Sequence, residues 1–437
     1  MNRDTIKPSH LLSRLEDILD SDPLIDEVGF IDPSQFATFN EEVHNSPSPS
    51  SRVVNEFVDE ISTPSQKASS LDNLFWHREH KLGISTLVLA PLYNEAKQAF
   101  MDAYKRYRLL SDSQTKNDET LCKNALDCST SSAEGEVMRH SRALLLLSCD
   151  FGTAWNSRKL IVSKKQLYPM LKDELLLSTL VLSYSPKSER AWSHRRWVIK
   201  IVSGNCVNLQ DIVERESNLV KSLAERSKMN YRAWNHRCWL VSYMSDSQVL
   251  LELMNSQEWA AHHVSDNSCF HYRARLLLQI MENSQHNDTD GLSRTRLHRI
   301  WKEELDWVRM LIQRFVGREA LWLHRRFLSL VWIKQLAVDH QTKCCHSSCE
   351  TCDISFFIGN ELKLFDSCAI IPDVNFGDYQ EQATHAAAYI LWLTKQLPML
   401  FREELKKGSH YESLKTLVDD AGNRCLWDSV TAFGDLH

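Results

Sequence analysis

The stretch Trp192-Ser193-His194-Arg195-Arg196-Trp197 recurs as Trp234-Asn235-His236-Arg237-Cys238-Trp239 and again as Trp322-Leu323-His324-Arg325-Arg326-Phe327. With 13 Trp and 18 His in 437 residues, chance yields hardly one Trp-x-His-Arg, so three copies mark one supersecondary unit used repeatedly. Two weaker copies extend the series. Trp155-Asn156-Ser157-Arg158 has Ser at the His position, and Phe270-His271-Tyr272-Arg273 has Phe in place of the anchor Trp. The anchors 155, 192, 234, 270 and 322 are spaced by 37, 42, 36 and 52 residues.

On a helix turning about 100° per residue, the Arg at +3 lies roughly 60° from the anchor, while the His at +2 and the aromatic at +5 fall on the far side. Such a helix is wanted on two faces, as in the inner layer of a stack of hairpins. The stretch before each anchor supplies the other helix. Leu171 to Leu182 is apolar at helical spacing, and Ser185-Pro186 reads as an N-cap followed by a proline at the first helical position. The same order recurs as 209–223 before Asn230, 249–262 before Asp266, and 297–315 before Arg318-Glu319. Glycine is scarce, at 12 residues, and alternating strands bounded by tight turns are not evident. The expected fold is therefore all-α: a superhelix (solenoid) of stacked antiparallel helical hairpins, crescent-shaped.

Each anchor aromatic (Trp155, Trp192, Trp234, Phe270, Trp322) is expected to fill the space within its own hairpin, since large aromatics at helical spacing are usually core. The arginines Arg158, Arg195, Arg237, Arg273 and Arg325 carry a fork of donors suited to carboxylates or carbonyls on a neighbouring helix. The motif histidines have two readings, packed neutral rings or donors turned to a partner. His194 and His324 are candidates for the second, as are the turn residues Asp266 and Asn267.

A composition of 43% apolar and 25% charged residues is ordinary for a soluble protein. The net charge of −6, with basic and acidic residues interleaved, argues against a nucleic-acid partner. The start Met1-Asn2-Arg3-Asp4 lacks an apolar run, and no stretch is long enough to span a membrane, so a cytoplasmic location is expected. The 12 cysteines then read as thiols. Cys344, Cys345, Cys349 and Cys352 include a Cys-x-x-Cys pair that suits zinc, but all lie in one short loop with no distant second pair, which favours a plain loop.

Five segments emerge. Residues 1–70 join a short amphipathic helix (Leu11 to Leu19) to a partly disordered Ser/Pro-rich linker (45–70). Residues 71–110 read as helical, with Phe75-Trp76-His77-Arg78 echoing the motif, and 111–136 as a flexible linker. The repeats occupy 137–400, where 354–397 resembles one more hairpin lacking the Trp-Arg signature, as a capping unit would. A helical tail, 401–437, follows.

Trp-x-x-Arg anchors opening the second helix of a hairpin, preceded by a turn such as Ser185-Pro186-Lys187, resemble the repeats of protein prenyltransferase α subunits. The resemblance covers roughly residues 138 to 335, and the near-constant 34-residue period of tetratricopeptide repeats is absent. It implies an α-like subunit wrapped around a β subunit, with the Rab geranylgeranyltransferase β subunit as the expected partner and proteins with acceptor cysteines as substrates. It further implies that zinc and the isoprenoid diphosphate are held by the β subunit and that this chain binds no cofactor. In that family, the repeat matching 230–234 has a basic residue five before the Trp and an aromatic three before it, both near the diphosphate. Tyr231 matches the aromatic, whereas Met229 stands in the basic position, with Lys228 and Arg226 nearby. Asn230, Tyr231 and His236 are the site-adjacent candidates. No Gly-rich phosphate loop, Gly-x-Ser-x-Gly or His-Glu-x-x-His occurs. An enzyme acting alone is not expected, and a non-catalytic interaction scaffold is the alternative.

Overall fold

The structure is a computed structural model that describes residues 7–35, 74–114, 123–204, 209–286, 292–336, 354–373, 375–398, 401, 405 and 410–420. The Ser/Pro-rich linker, the Cys344 to Cys352 set and residues 421–437 lie outside the described residues. Two compact units are present, one of residues 1–212 and 218–236, the other of residues 213–217 and 237–437.

In the first unit, α1 (Pro8–Ser21) opens with proline at its N-terminus and buries Leu11, Leu12, Leu15, Ile18 and Leu19. This apolar stripe follows the helical repeat, and α1 packs on α2 (Leu89–Gln114) and α3 (Lys123–Leu147). Three short strands join the helices of this unit. β1 (Glu27–Ile31) pairs in parallel with β3 (Lys81–Ser85), and β2 (Phe75–Arg78) pairs antiparallel with β3, giving the order β1-β3-β2.

Phe75-Trp76-His77-Arg78 is thus a strand and not a sixth motif. The two residues after it, Glu79 and His80, hold φ of 50° and 61°. Consecutive left-handed residues end a helix but close a two-residue hairpin. Gly83 on β3 lies under the Ile31 side chain, and a Cβ there would stand 2.3 Å from Ile31 Cδ1, so a larger residue would need that side chain to shift. The reading of 111–136 as a linker is also corrected, since α3 contains residues 123–136. Its buried Thr130, Ala133 and Val137 recur at helical intervals, masked in sequence by serines and a glycine.

The hairpins follow in chain order. In the first unit, α4 (Gly152–Lys165) leads to α5 (Tyr168–Tyr184), which pairs with α6 (Glu189–Ser203). The helices α7 (Leu209–Arg226) and α8 (Tyr231–Leu240) come next. In the second unit, α9 (Asp246–His262) pairs with α10 (Asn267–His286), α11 (Leu292–Arg314) with α12 (Glu319–Val331), and α13 (Ile354–Ala369) with α14 (Gly377–Gln396). A final helix, α15 (His410–Asp420), packs on α14. Motif helices also touch one another, α4 against α6 and α10 against α12. These four therefore each pack on two neighbours.

The start of α6 differs from its sequence reading. Ser188 is the N-cap, its hydroxyl accepting from Ala191 N at 3.3 Å, and Ser185-Pro186 belongs to the preceding turn. The Pro186 carbonyl accepts Trp192 Nε1 at 3.0 Å and Asn230 Nδ2 at 2.9 Å. A residue expected to start a helix instead anchors one tryptophan and the next turn.

Candidate functional site

The motif side chains build a buried ionic ladder. Trp155, Trp192, Trp234, Phe270 and Trp322 are all buried, as are the five arginines. Four of these arginines donate to a carbonyl twenty residues earlier, on the helix that precedes their own: Arg158 to Met138 (2.6 Å), Arg195 to Leu175 (2.7 Å), Arg273 to Leu253 (2.7 Å) and Arg325 to Leu305 (2.5 Å). They also engage hydroxyls there, Arg158 at Ser141, Arg195 at Ser178 and Arg273 at Ser256. The rest of the guanidinium reaches forward to a glutamate: Arg158 to Glu174 (2.6 Å), Arg237 to Glu252 (2.7 Å), Arg273 to Glu304 (2.5 Å) and Arg325 to Glu361. A planar fork with several donors suits this double duty.

The next motif closes on the same acid. His194 Nε2 lies 2.7 Å from Glu174 and His324 Nε2 lies 3.0 Å from Glu304, while Tyr272 donates to Glu252 and Tyr389 to Glu361. Each motif histidine also packs on the preceding anchor, His194 on Trp155, His236 on Trp192 and His324 on Phe270, with ring centres 4.6, 4.8 and 5.3 Å apart.

Burial opposes ionisation of Glu174 and Glu304, yet the adjacent Arg158 or Arg273 and the histidine hydrogen bond outweigh it and hold both carboxyls at about 2. Burial lowers the pKa of His194 and His324, keeping the rings neutral. His194 then donates Nε2–H to Glu174, which leaves its Nδ1 without a hydrogen-bond partner.

These placements correct the expectation that His194 and His324 turn to a partner, because both are enclosed within the fold. His236 is fully buried and Asn230 nearly so. Asn230 caps α8, its Oδ1 accepting from Ala233 N at 3.2 Å. Asp266 accepts from Ser268 N at 2.9 Å at the start of α10, and Asn267, the first residue of that helix, is exposed. Tyr231 alone of the three site-adjacent candidates is open, at 60% exposure, next to Met229 at 72%.

Met229 holds φ at 56°, a left-handed turn position. Arg232 lies over the Tyr231 ring at 5.4 Å and pairs with Glu189 at 2.5 Å, which also meets Arg196 at 2.7 Å. Of the basic residues near Met229, Arg226 lies 3.6 Å from Glu27 and Lys228 is exposed. An apolar and aromatic turn rimmed by arginines suits contact with another surface. Acid–base or nucleophilic chemistry finds little purchase in the buried ladder. The thiols Cys238 and Cys269 are pushed up to about 12 by burial, so they are protonated at neutral pH. Among the described residues no group of His, Cys, Asp and Glu is arranged to hold a metal ion.

The acids that complete the ladder carry no signature in the motif itself. Their signal is spacing, for Glu174, Glu216 and Glu304 are buried acids that each stand twenty residues before a motif histidine.

Residues 171–202, 213–244 and 301–330 match the family described as protein prenyltransferase alpha subunit repeat. The chain therefore carries three stretches similar to that repeat. It is similar to protein prenyltransferase alpha subunit repeat-containing protein 1 of Homo sapiens, 33% identical over 236 residues, which is 44% of this chain and 58% of the relative. The Danio rerio protein of the same name is 32% identical over 228 residues, 43% of this chain and 53% of the relative. A Xenopus laevis form, 1-A, is 32% identical over 234 residues, 44% and 54% of the two chains. The chain thus spans little more than half the length of the curated relatives it matches. The repeat fold is of the α-α superhelix class, and no described helix is long and apolar enough to cross a membrane.

Proposed function

We propose that this chain acts as the α-like subunit of a cytoplasmic heterodimeric protein prenyltransferase that transfers a geranylgeranyl group to cysteines of protein substrates. The observation that carries the reading is the matched repeat, present three times with its anchors buried. The intended partner is a prenyltransferase β subunit, the Rab geranylgeranyltransferase β subunit being first choice. In this reading the acceptor thiolate attacks the allylic carbon and diphosphate departs. Zinc and the isoprenoid diphosphate belong to the β subunit, where the metal lowers the thiol pKa. This chain supplies shape and a contact surface, for which the Tyr231 turn with Met229 and Arg232 is the candidate.

A second reading, an interaction scaffold without transfer, is favoured by one specific feature. The polar motif residues are consumed inside the fold, and methionine stands where a basic residue would approach the diphosphate. Co-expression with prenyltransferase β subunits, size exclusion and a transfer assay separate the two. Co-elution with turnover that depends on this chain supports the first reading, co-elution without turnover supports the second, and no co-elution with any β subunit removes both.

A further inference from the structure

The first unit holds a cleft of about 630 Å³ between α1, the turn after it, α3, α4 and α5. That volume lies in the range of small-molecule sites. One wall is a stripe of α5: Asp173, Leu176, Leu177 and Leu180 all line the cleft and follow the i, i+3, i+4, i+7 spacing of one helix face. Leu19, Ile25, Met138 and Ile161 give the opposite walls an aliphatic character.

Charge decides what the cleft accepts. Every basic side chain that lines it is already matched: Arg139 to Asp20 at 3.1 Å, Arg142 to Asp20, Arg158 to Glu174, and Lys165 to Glu134 at 2.7 Å. Asp22, also in the lining, bridges His77 and His80 at 2.9 Å each. Asp173 is different. It is the one lining carboxylate to which the described residues offer no hydrogen bond or ion pair, although Arg142, Arg158 and Lys172 act on it at longer range. Asp173 is exposed, and partial burial with the neighbouring Glu174 raises its pKa against the opposing effect of Arg158, Arg142 and Lys172. An anion would meet this carboxylate with every cation already taken, and a neutral chain would leave it to water alone, whereas a cationic head would pair with it.

We infer that the cleft binds an aliphatic ammonium group, its methylenes along Leu176, Leu177 and Leu180 and its charged end at the Asp173 carboxylate. Long amine side chains bury their stems on apolar surface while the head seeks a carboxylate. The inference stands apart from prenyl transfer and needs no β subunit.

The chemistry has two sources, a free diamine or a lysine side chain. Both are tested on the full chain by titration calorimetry, with 1,5-diaminopentane and with acetyl-lysine methylamide, against 1-pentanol and glutarate. Binding of either amine at a Kd below about 10 mM is expected, with affinity falling about tenfold or more in Asp173→Asn and retained in Asp173→Glu. Preference for the diamine or for the lysine derivative names the source. Circular dichroism verifies that the variants are folded. Absence of amine binding, equal binding by pentanol or glutarate, or unchanged affinity in Asp173→Asn overturns the proposal.

Discussion

Replacing Arg273 by methionine tests whether the buried ladder holds the second unit together. Arg273 is almost wholly enclosed and donates to Glu304 Oε1 (2.9 Å), Glu304 Oε2 (2.5 Å), the Leu253 carbonyl (2.7 Å) and the Ser256 hydroxyl (2.9 Å). Its guanidinium also lies 4.5 Å from the Trp307 ring centre. Methionine keeps much of the volume but leaves a buried carboxylate with His324 as its remaining partner among the described residues. Removing one member of a buried pair costs about 3 to 5 kcal/mol. For a unit of about 200 residues that corresponds to a drop of roughly 6 to 20 °C in Tm.

Adding Glu304→Gln removes the stranded charge yet keeps an oxygen for His324 Nε2. The double variant is expected to recover about 2 kcal/mol of the loss, a coupling typical of residues in one network. The single variant also carries a pH signature. Without Arg273, burial raises the Glu304 pKa, so the penalty shrinks as the pH is lowered and the carboxyl takes up a proton. Thermal and urea melts of the four proteins of the cycle read both effects. A Tm loss under about 2 °C for Arg273→Met, or strict additivity in the cycle, would refute the argument.

Trp234→Ala empties a site where the indole is 2% exposed and is expected to cost about 3 to 5 kcal/mol; an unchanged melting temperature would contradict the core assignment. Acid should weaken the fold in two stages, followed by melts across pH. Below about 6.5 the unfolded chain protonates histidines that the fold keeps neutral at His194 and His324, and from 4.5 towards 2 it protonates glutamates that Glu174 and Glu304 keep ionised in the fold. His324→Gln should flatten the first stage, and a profile unaltered by that change would remove the assignment. Tyr231→Ala, at an exposed position, should leave Tm within about 1 °C while weakening β-subunit pairing in pull-down; equal pairing would dismiss this turn as a contact.

Much of the hairpin order was legible because anchor tryptophans, apolar helical stripes and short turns repeat at intervals that a local reading can count. The 209–223 and 249–262 stretches fall on α7 and α9 in this way. The sheet was not legible for the opposite reason. Val28 pairs with Leu82 across a long chain separation, and each strand is too short to show alternation. At the candidate site the sequence offered residue types without their orientation. His194 and Tyr231 look equally available in a string of letters, yet one is sealed against Trp155 and the other stands open. The deciding partners, Glu174 and Glu304, directly follow other charged residues, Lys172-Asp173 and Lys302-Glu303, so apart from the twenty-residue spacing nothing in the string marks them as the buried acids.

The last hairpin shows how a chain of shared acids comes to a stop. Tyr389 stands where three earlier repeats place histidine and one places Tyr272, and the following position, which in those repeats carries the arginine, is the buried Ile390. Glu361 therefore receives Arg325 from behind and a phenol from its own hairpin, and α14 has no arginine at the motif position to offer a further carboxylate. Among the described residues the series closes on a rung that exports no unmet charge, and carrying the same ladder past α14 would take an arginine at position 390 together with an acid to receive it.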